Sequence, residues 1–332
     1  MAINDVGVGR AVEASVADFS RMAADGITTV SLYQYLYLPD PNGVTIGTGT
    51  NTLTDQEIEL VVAEATRNNL KVHLLPILLD NATNTWRGRY VPSDLDAFFR
   101  NYTAVVRTYA AMAERLGVTM FYVGGENEQI AGRTAQWRAV IKAVRSVYHG
   151  AVSYMSTPYT ATNVKFWGDL DVAGISAYFS MGEDTNPTYD RFLAAWREVH
   201  TPFVADLVKK IRIPLIYAEV GYHSQQHAFA NPAESEKATR LAAPAAQADG
   251  YRALLDVLVK NPSVYGVTFW RWGPAGSSAD TSYSPNGKPA ECALAAHWSA
   301  DATVRQVAAF PTCDLHALDK ALTAVAGPLN PT

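Results

Sequence analysis

The chain has 332 residues, of which 48% are apolar, 11% aromatic and only 18% charged, with a formal net charge of −5. That composition excludes a disordered chain, and it offers no basic surplus for nucleic acid or an anionic membrane surface. No apolar run reaches the roughly 18 residues of a membrane span, and Met1 to Asp5 lacks the charged and apolar regions of a signal peptide.

Short β-branched or aromatic runs alternate with longer segments of helical period, the pattern of a parallel sheet with crossover helices. The first strand is expected at residues 3–8, followed by a helix over 11–25 carrying Val12, Val16, Phe19, Met22 and Ala23 and closing at Gly26. Strand two is Thr28–Tyr33. Thr54 then caps a helix whose core face is Ile58, Val61, Val62 and Ala65. Strand three is Lys71–Leu79, running into Asp80. Ser93 opens a long helix with Phe98, Tyr102, Val105, Val106, Tyr109 and Met112 on one face. Strand four is Thr119–Val123, with a helix at about 133–147, then strand five at Ala151–Ser156. A short helical piece near Trp167 leads to strand six, Val172–Ser176. A helix at about 188–210, strand seven at Ile213–Ala218, a helix at about 233–260 and strand eight at Val264–Trp270 complete the series. The segment through residue 325 supplies a last helix.

Eight strands alternating with about eight helices is the count of an α/β (β/α)8 TIM barrel. A doubly wound sheet competes, but Gly7-Val8-Gly9-Arg10-Ala11-Val12 lacks the third glycine of its phosphate turn. No Pro-, Gly- or Ser-rich linker divides the chain, so one domain is expected over 1–332, with about 302–332 a C-terminal helix and tail. Cys292 and Cys313 admit two readings: one disulfide closing a C-terminal loop, which would imply export, or two buried thiols.

Reactive groups of such barrels come from the C-terminal ends of strands. Strand four ends in Gly124-Gly125-Glu126-Asn127-Glu128, strand seven in Glu219-Val220-Gly221-Tyr222-His223 and strand eight in Trp270-Arg271-Trp272. Two carboxylates on opposite walls of one mouth are the equipment of a glycosidase: a protonated acid for the leaving oxygen and an ionised partner for the anomeric carbon. Trp86, Trp167, Tyr178, Tyr222, Trp270 and Trp272 fall at strand ends or in following loops, where aromatic faces can stack on sugar rings. Trp137, on a helix face, reads as core. Arg271 reads equally as a substrate clamp or an ion-pair partner. No HExxH, paired histidine ligands, GxSxG elbow or P-loop is present. No metal or organic cofactor is expected.

At these residues the sequence resembles glycoside hydrolase family 113, the β-mannanases of clan A, over about residues 11–300. Trp86-Arg87-Gly88 is similar to the family's turn after strand three. Gly124-Gly125-Glu126 answers its strand-four motif, and Trp137 through Arg145, Tyr148 and Gly150 match the following helix. Phe166-Trp167-Gly168-Asp169-Leu170-Asp171 with Ile175-Ser176-Ala177-Tyr178, and Ala218-Glu219-Val220-Gly221-Tyr222-His223-Ser224, resemble the regions of strands six and seven. Phe269-Trp270-Arg271-Trp272, Tyr283-Ser284-Pro285 and Gly287-Lys288-Pro289-Ala290 resemble its ending.

The resemblance implies a retaining glycosidase acting on a β-linked glycan, first of all β-1,4-mannan, with Glu126 as acid/base and Glu219 as nucleophile. Trp86, Arg87, Asn127, Glu128, Trp167, Tyr178, Tyr222, His223, Trp270 and Trp272 are the implied substrate-binding residues. The Asn-Glu pair usual in clan A at strand four recurs here as Asn127-Glu128, two residues late, whereas the frame counted from the glycines favours Glu126. Gly125 stands where the clan carries an asparagine for the sugar 2-hydroxyl. That contact falls to Asn127, or the sugar differs at that carbon. The alternatives are a different β-glycan or a cell-wall furanoside as substrate, or a glycan-binding barrel without catalysis. The expected partner is the polysaccharide or oligosaccharide, bound by a monomer or weak oligomer. A secreted or cell-surface protein is expected if a signal peptide has been removed, and a cytoplasmic one otherwise.

Overall fold

A computed structural model describes residues 3–8, 16–40, 43–80, 86–234, 237, 239–310 and 312–326. Eight parallel strands close into one barrel in chain order: β1 Ile3–Val8, β2 Thr29–Leu38, β3 Lys71–Asp80, β4 Met120–Gly125, β5 Ala151–Ser156, β6 Val172–Ser176, β7 Leu215–Val220 and β8 Val264–Phe269. β1 pairs with both β2 and β8, which closes the ring. The helices are α1 Phe19–Ala24, α2 Asp55–Arg67, α3 Leu95–Leu116, α4 Thr134–Arg145, α5 Tyr189–Ile211, α6 Pro244–Val259, α7 Pro289–Trp298, α8 Ala302–Ala308 and α9 Leu315–Ala326. Between β5 and β6 only a short 3-10 turn, Trp167–Asp169, takes the place of a helix. Val12 and the Gly9–Val12 turn lie outside the described residues, as does the side chain of Asp80.

Local chemistry explains where elements begin and end. Thr54 and Glu57 form a reciprocal capping box at the start of α2. Asp94, one residue past the expected Ser93, caps α3 by accepting from the Ala97 amide, and Gly117 ends that helix in the left-handed conformation. The helix expected from 233 starts at Pro244, whose fixed φ and missing N–H suit the first helical position. β2 runs five residues beyond its expected end, because Gln34, the polar residue that follows Tyr33, is buried with both ends of its amide hydrogen-bonded. Its Nε2 donates to Leu53 O and Tyr109 Oη, and its Oε1 accepts from the Leu53 amide. The extended β2 stays paired with β3 from Thr29 and Lys71 to Leu38 and Asp80, so this wall of the barrel stands tall.

The barrel is filled, as such barrels are, by inward side chains: Tyr33, Leu75, Ile77, Met120, Tyr122, Met155, Ile216 and Ala218. A larger apolar layer between strands and helices surrounds it. Every residue of β4 and β7 is buried, as parallel strands covered on both faces should be. The C-terminal segment forms three helices rather than one. Cys292 and Cys313 are joined in a disulfide that ties α7 to the turn before α9, a closure across 21 positions worth about 3 kcal/mol in the chain-entropy account. Arg21 of α1 pairs with Glu291 and Asp319 and so locks the same helices onto the barrel.

The bottom of the barrel is polar. Asp5 accepts from the hydroxyls of Ser31 and Thr268, and His73 Nδ1 lies 3.2 Å from the same oxygen. Each of these groups is buried. The floor is therefore a buried hydrogen-bonded layer in which Asp5 Oδ2 takes every contact and Oδ1 has no partner among the described residues, and the opposite, C-terminal end of the strands holds the open mouth.

Candidate active site

Both glutamates of interest owe their aim to an extra residue. Along β4 and β5, Tyr122 is opposite Ser153 while Gly125 is opposite Met155, so β4 carries one residue more than its partner. Along β6 and β7, Ile175 faces Tyr217 while Ser176 faces Glu219, which again inserts one residue, Ala218. Such bulges break the simple in–out alternation of a strand and redirect the side chains that follow.

β4 then stops. Glu126 takes a left-handed backbone (φ 54°), while its amide still donates to Met155 O at 2.7 Å. The chain approaches this point through Gly124, where a Cβ would lie 2.9 Å from the Trp137 ring and 3.0 Å from Tyr102 Oη; only glycine fits. The turn separates three neighbouring polar residues. Glu126 faces the mouth. Asn127 is buried and away from it, its amide N–H donating to Tyr154 Oη at 3.3 Å. Glu128 begins a 3-10 turn at the rim and is hydrogen-bonded by Thr157 Oγ1.

The mouth is a cleft of about 650 Å³. Glu126 and Glu219 line it together with Trp86, Arg87, Glu128, Tyr178, His223 and Trp270. Arg87 Nη2 lies 2.7 Å from Glu126 Oε2, and the Trp86 indole donates to the same oxygen at 3.3 Å. That indole lies against Gly88, where a Cβ would come within 2.3 Å of the ring. Glu219 accepts from Tyr33 Oη at 2.9 Å on Oε2 and from Tyr178 Oη at 2.7 Å on Oε1. Trp270 packs edge-on to Tyr33, with ring centroids 4.5 Å apart, and His223 lies 3.6 Å from the Tyr283 ring centroid.

Three aromatic residues expected at the site are placed in the core instead. Trp167 is buried against Tyr154 and Phe166 and donates to Ala161 O at 2.8 Å. Tyr222 is buried between Phe192 and Phe229, its hydroxyl accepting from Trp196 Nε1 at 2.7 Å. Trp272, two residues beyond Trp270, is buried and donates to Asp18 at 2.9 Å. Tyr222 and Trp272 follow their strand ends closely and Trp167 lies eleven residues beyond β5, but in each case the chain carries the side chain back between barrel and helices. Asn127 is buried as well and is not among the residues lining the cleft, its side-chain amide without a hydrogen-bond partner among the described residues. Conversely, sequence reasoning passed over Tyr33, Tyr159 and Tyr283. Tyr33 is the next residue of β2 in phase with inward Ser31, a signal that alternation does contain. Arg271 lines the cleft with its guanidinium 5.8 Å from the Trp270 ring centroid, and it has no ion pair among the described residues.

Burial, with Glu126 facing it, pushes the Glu219 carboxyl up to about 7, against the opposing pull of Arg87 and the two tyrosine hydroxyls. The raised value was expected on the acid/base. It is found on Glu219, where burial is the largest cause. Burial in turn raises Tyr33 and Tyr178 well above the ordinary phenol range, so both remain donors.

Between about pH 4.5 and 7 the folded protein keeps a proton on Glu219 that the unfolded chain has released, so stability falls as pH rises through that window. Glu219→Gln removes the cost. It is expected to stabilise by about 3 kcal/mol at pH 8, raising Tm by roughly 4 °C, with little effect at pH 4. Calorimetry at the two pH values checks this, and an equal shift at both would refute it.

A parallel barrel with two facing carboxylates, tyrosine donors and aromatic walls at its C-terminal mouth defines a glycosidase-type site. The family model for Glycoside Hydrolase Family 113 matches residues 10–288, and the chain belongs to that family. It is a glycoside hydrolase. Among solved structures, the GH113 β-mannanase AaManA from Alicyclobacillus acidocaldarius, in complex with ManMIm, is 28% identical, with a TM-score of 0.79 over 90% of this chain and 97% of that one. A GH113 β-1,4-mannanase complex is 23% identical, with a TM-score of 0.78 over 90% and 99%. A fungal β-1,4-galactanase shares the fold at 14% identity, with a TM-score of 0.55 over 85% and 95%. No curated protein matches the sequence. Among the described residues, no group of His, Cys, Asp or Glu is placed to hold a metal ion, and no helix is long and apolar enough to cross a membrane.

Proposed function

We propose that the protein hydrolyses β-1,4-mannan within the chain and with retention of configuration, by the two-carboxylate route of clan A. The observation that carries this reading is the pair of environments in one cleft. Glu219 is held by Tyr33 and Tyr178 with both oxygens fixed, and Glu126 is presented from a left-handed turn beside Trp86 and Arg87.

In the first step a Glu219 oxygen attacks the anomeric carbon, while Glu126 gives its proton to the glycosidic oxygen and the leaving sugar departs. In the second, Glu126 takes a proton from water as the water oxygen displaces Glu219 from the same carbon. The pair must hold one proton, located on Glu126, when the sugar binds. In the free protein Arg87 is paired with Glu126, so the incoming glycan oxygen has to compete with that guanidinium. Activity accordingly falls above about pH 7, as the proton shared by the pair is lost. The scheme uses no metal or organic cofactor. The disulfide supports an oxidising, extracytoplasmic setting.

The test is mannohexaose hydrolysis followed by proton NMR during the first minutes. The β-anomer of the new reducing end should appear first and then mutarotate. The α-anomer appearing first would mean inversion. A second reading, a β-glycan of another sugar, is favoured by one observation: Gly125 offers no side chain where the clan carries its 2-hydroxyl partner, and a Cβ there would lie 3.1 Å from the Met155 methyl. Inert mannan with turnover of another β-glycan would select it.

A further inference from the structure

We propose that Tyr159 is the stacking platform for the sugar units that leave, and thereby sets how the enzyme positions long substrates. The inference rests on the reading above for the roles of Glu126 and Glu219.

Tyr159 lines the cleft, yet it is 80% exposed, more than any other large hydrophobic side chain described. An aromatic ring held in water within a cleft forgoes burial worth having elsewhere, so its exposure asks for a ligand. Its loop is held firmly from below. Thr160 and Ala161 donate their amides to Thr157 O at 3.3 and 3.1 Å, and Thr157 Oγ1 and Thr160 Oγ1 are 3.0 Å apart. Ala161 is buried, and its carbonyl accepts the Trp167 indole at 2.8 Å. The adjacent Pro158 fixes its own φ. The ring is therefore presented by an ordered turn, with its position largely paid for before any sugar arrives.

The topology tells which end of the glycan it meets. The oxygen that Glu126 protonates belongs to the departing sugar, and Glu126 hydrogen-bonds directly to β5, whose following loop carries Tyr159. Glu219 bonds to the retained sugar and stands beside Trp270, across the β7–β8 wall. Trp86, 41% exposed and in contact with Glu126, flanks the departing side from β3. The leaving portion thus runs out past Trp86 with Tyr159 beneath or beside it.

The experiment compares wild type, Tyr159→Ala and Tyr159→Phe on two substrates of the same sugar: a hexasaccharide, and the disaccharyl fluoride, whose leaving group has no ring. Mannose is used first, or the sugar of whichever β-glycan the wild type cleaves fastest. Y159A should lose roughly three- to tenfold in kcat/KM on the hexasaccharide, mainly through KM, the scale of one aromatic contact. Its cleavage pattern should also shift toward products with fewer units on the leaving side. Hydrolysis of the fluoride should be unchanged, and Y159F should behave as wild type. Unchanged hexasaccharide kinetics in Y159A, or an equal loss on both substrates, would overturn the assignment. Inert mannan in the wild type would count against the substrate reading alone, since the comparison then proceeds on the other glycan.

Discussion

Glu219→Ala is expected to lower kcat on mannohexaose by at least about 10⁴-fold while leaving the barrel folded. The loss is large because no neighbour can take over. The carboxyl's two oxygens are the only acceptors aimed by Tyr33 and Tyr178 together, and a methyl group leaves both hydroxyls pointing at a void. That void is the size of a small anion. Azide added to Glu219→Ala should therefore attack the anomeric carbon directly and give the α-glycosyl azide from an activated β-glycoside. Product NMR checks both parts. Residual turnover within a hundredfold of wild type would remove Glu219 from the reaction.

The second large effect depends on the leaving group. Glu126→Ala should cost about 10²–10⁴ in kcat/KM on the natural glycan, whose departing oxygen needs a proton, but far less on a dinitrophenyl glycoside, which needs none. Azide should here give the β-glycosyl azide, since Glu219 still forms the covalent intermediate. Glu128→Ala is the decisive companion. Glu128 is tied to Thr157 at the rim, so its variant should keep the wild-type dependence on leaving group. Initial rates across a set of aryl glycosides separate the cases. If Glu128→Ala shows the steep dependence and Glu126→Ala does not, the acid/base lies two residues further along.

Much of the architecture was legible because apolar runs and polar punctuation coincide with strands. β5 and β6 start and stop at the expected residues, each an apolar run entered from a polar or glycine residue, Gly150 and Asp171. β4 and β7 extend two residues beyond their expected ends, and in each the bulge lies where the expected strand gives way to the extension. A bulge leaves no local mark in a pattern of apolar residues, so the direction of Glu126, Asn127 and Glu128 could not be read from alternation. The site was legible in its carboxylates and in Trp86, Arg87, Tyr178, His223 and Trp270, which line the cleft with them, but not in the contacts that hold them. Tyr33 reaches Glu219 across 186 positions of chain, a contact that exists only once β1 has paired with β8. The aromatic walls were over-read for a related reason. Standing just after a strand says that a residue is near the mouth, not that it faces it, and Trp167, Tyr222 and Trp272 each satisfy an indole or phenol partner in the core.

The extra residues in β4 and β7 make chain length, rather than side-chain chemistry, the variable that places the two carboxylates. A substitution beside either glutamate leaves the count intact and the carboxyl still aimed inward. Losing one residue ahead of the glutamate brings Val220 in β7 or Asn127 in β4 into its place, and gaining one brings Ala218 or Gly125. At these two short stretches spacing is therefore the property that the fold depends on, ahead of the identity of the neighbouring residues.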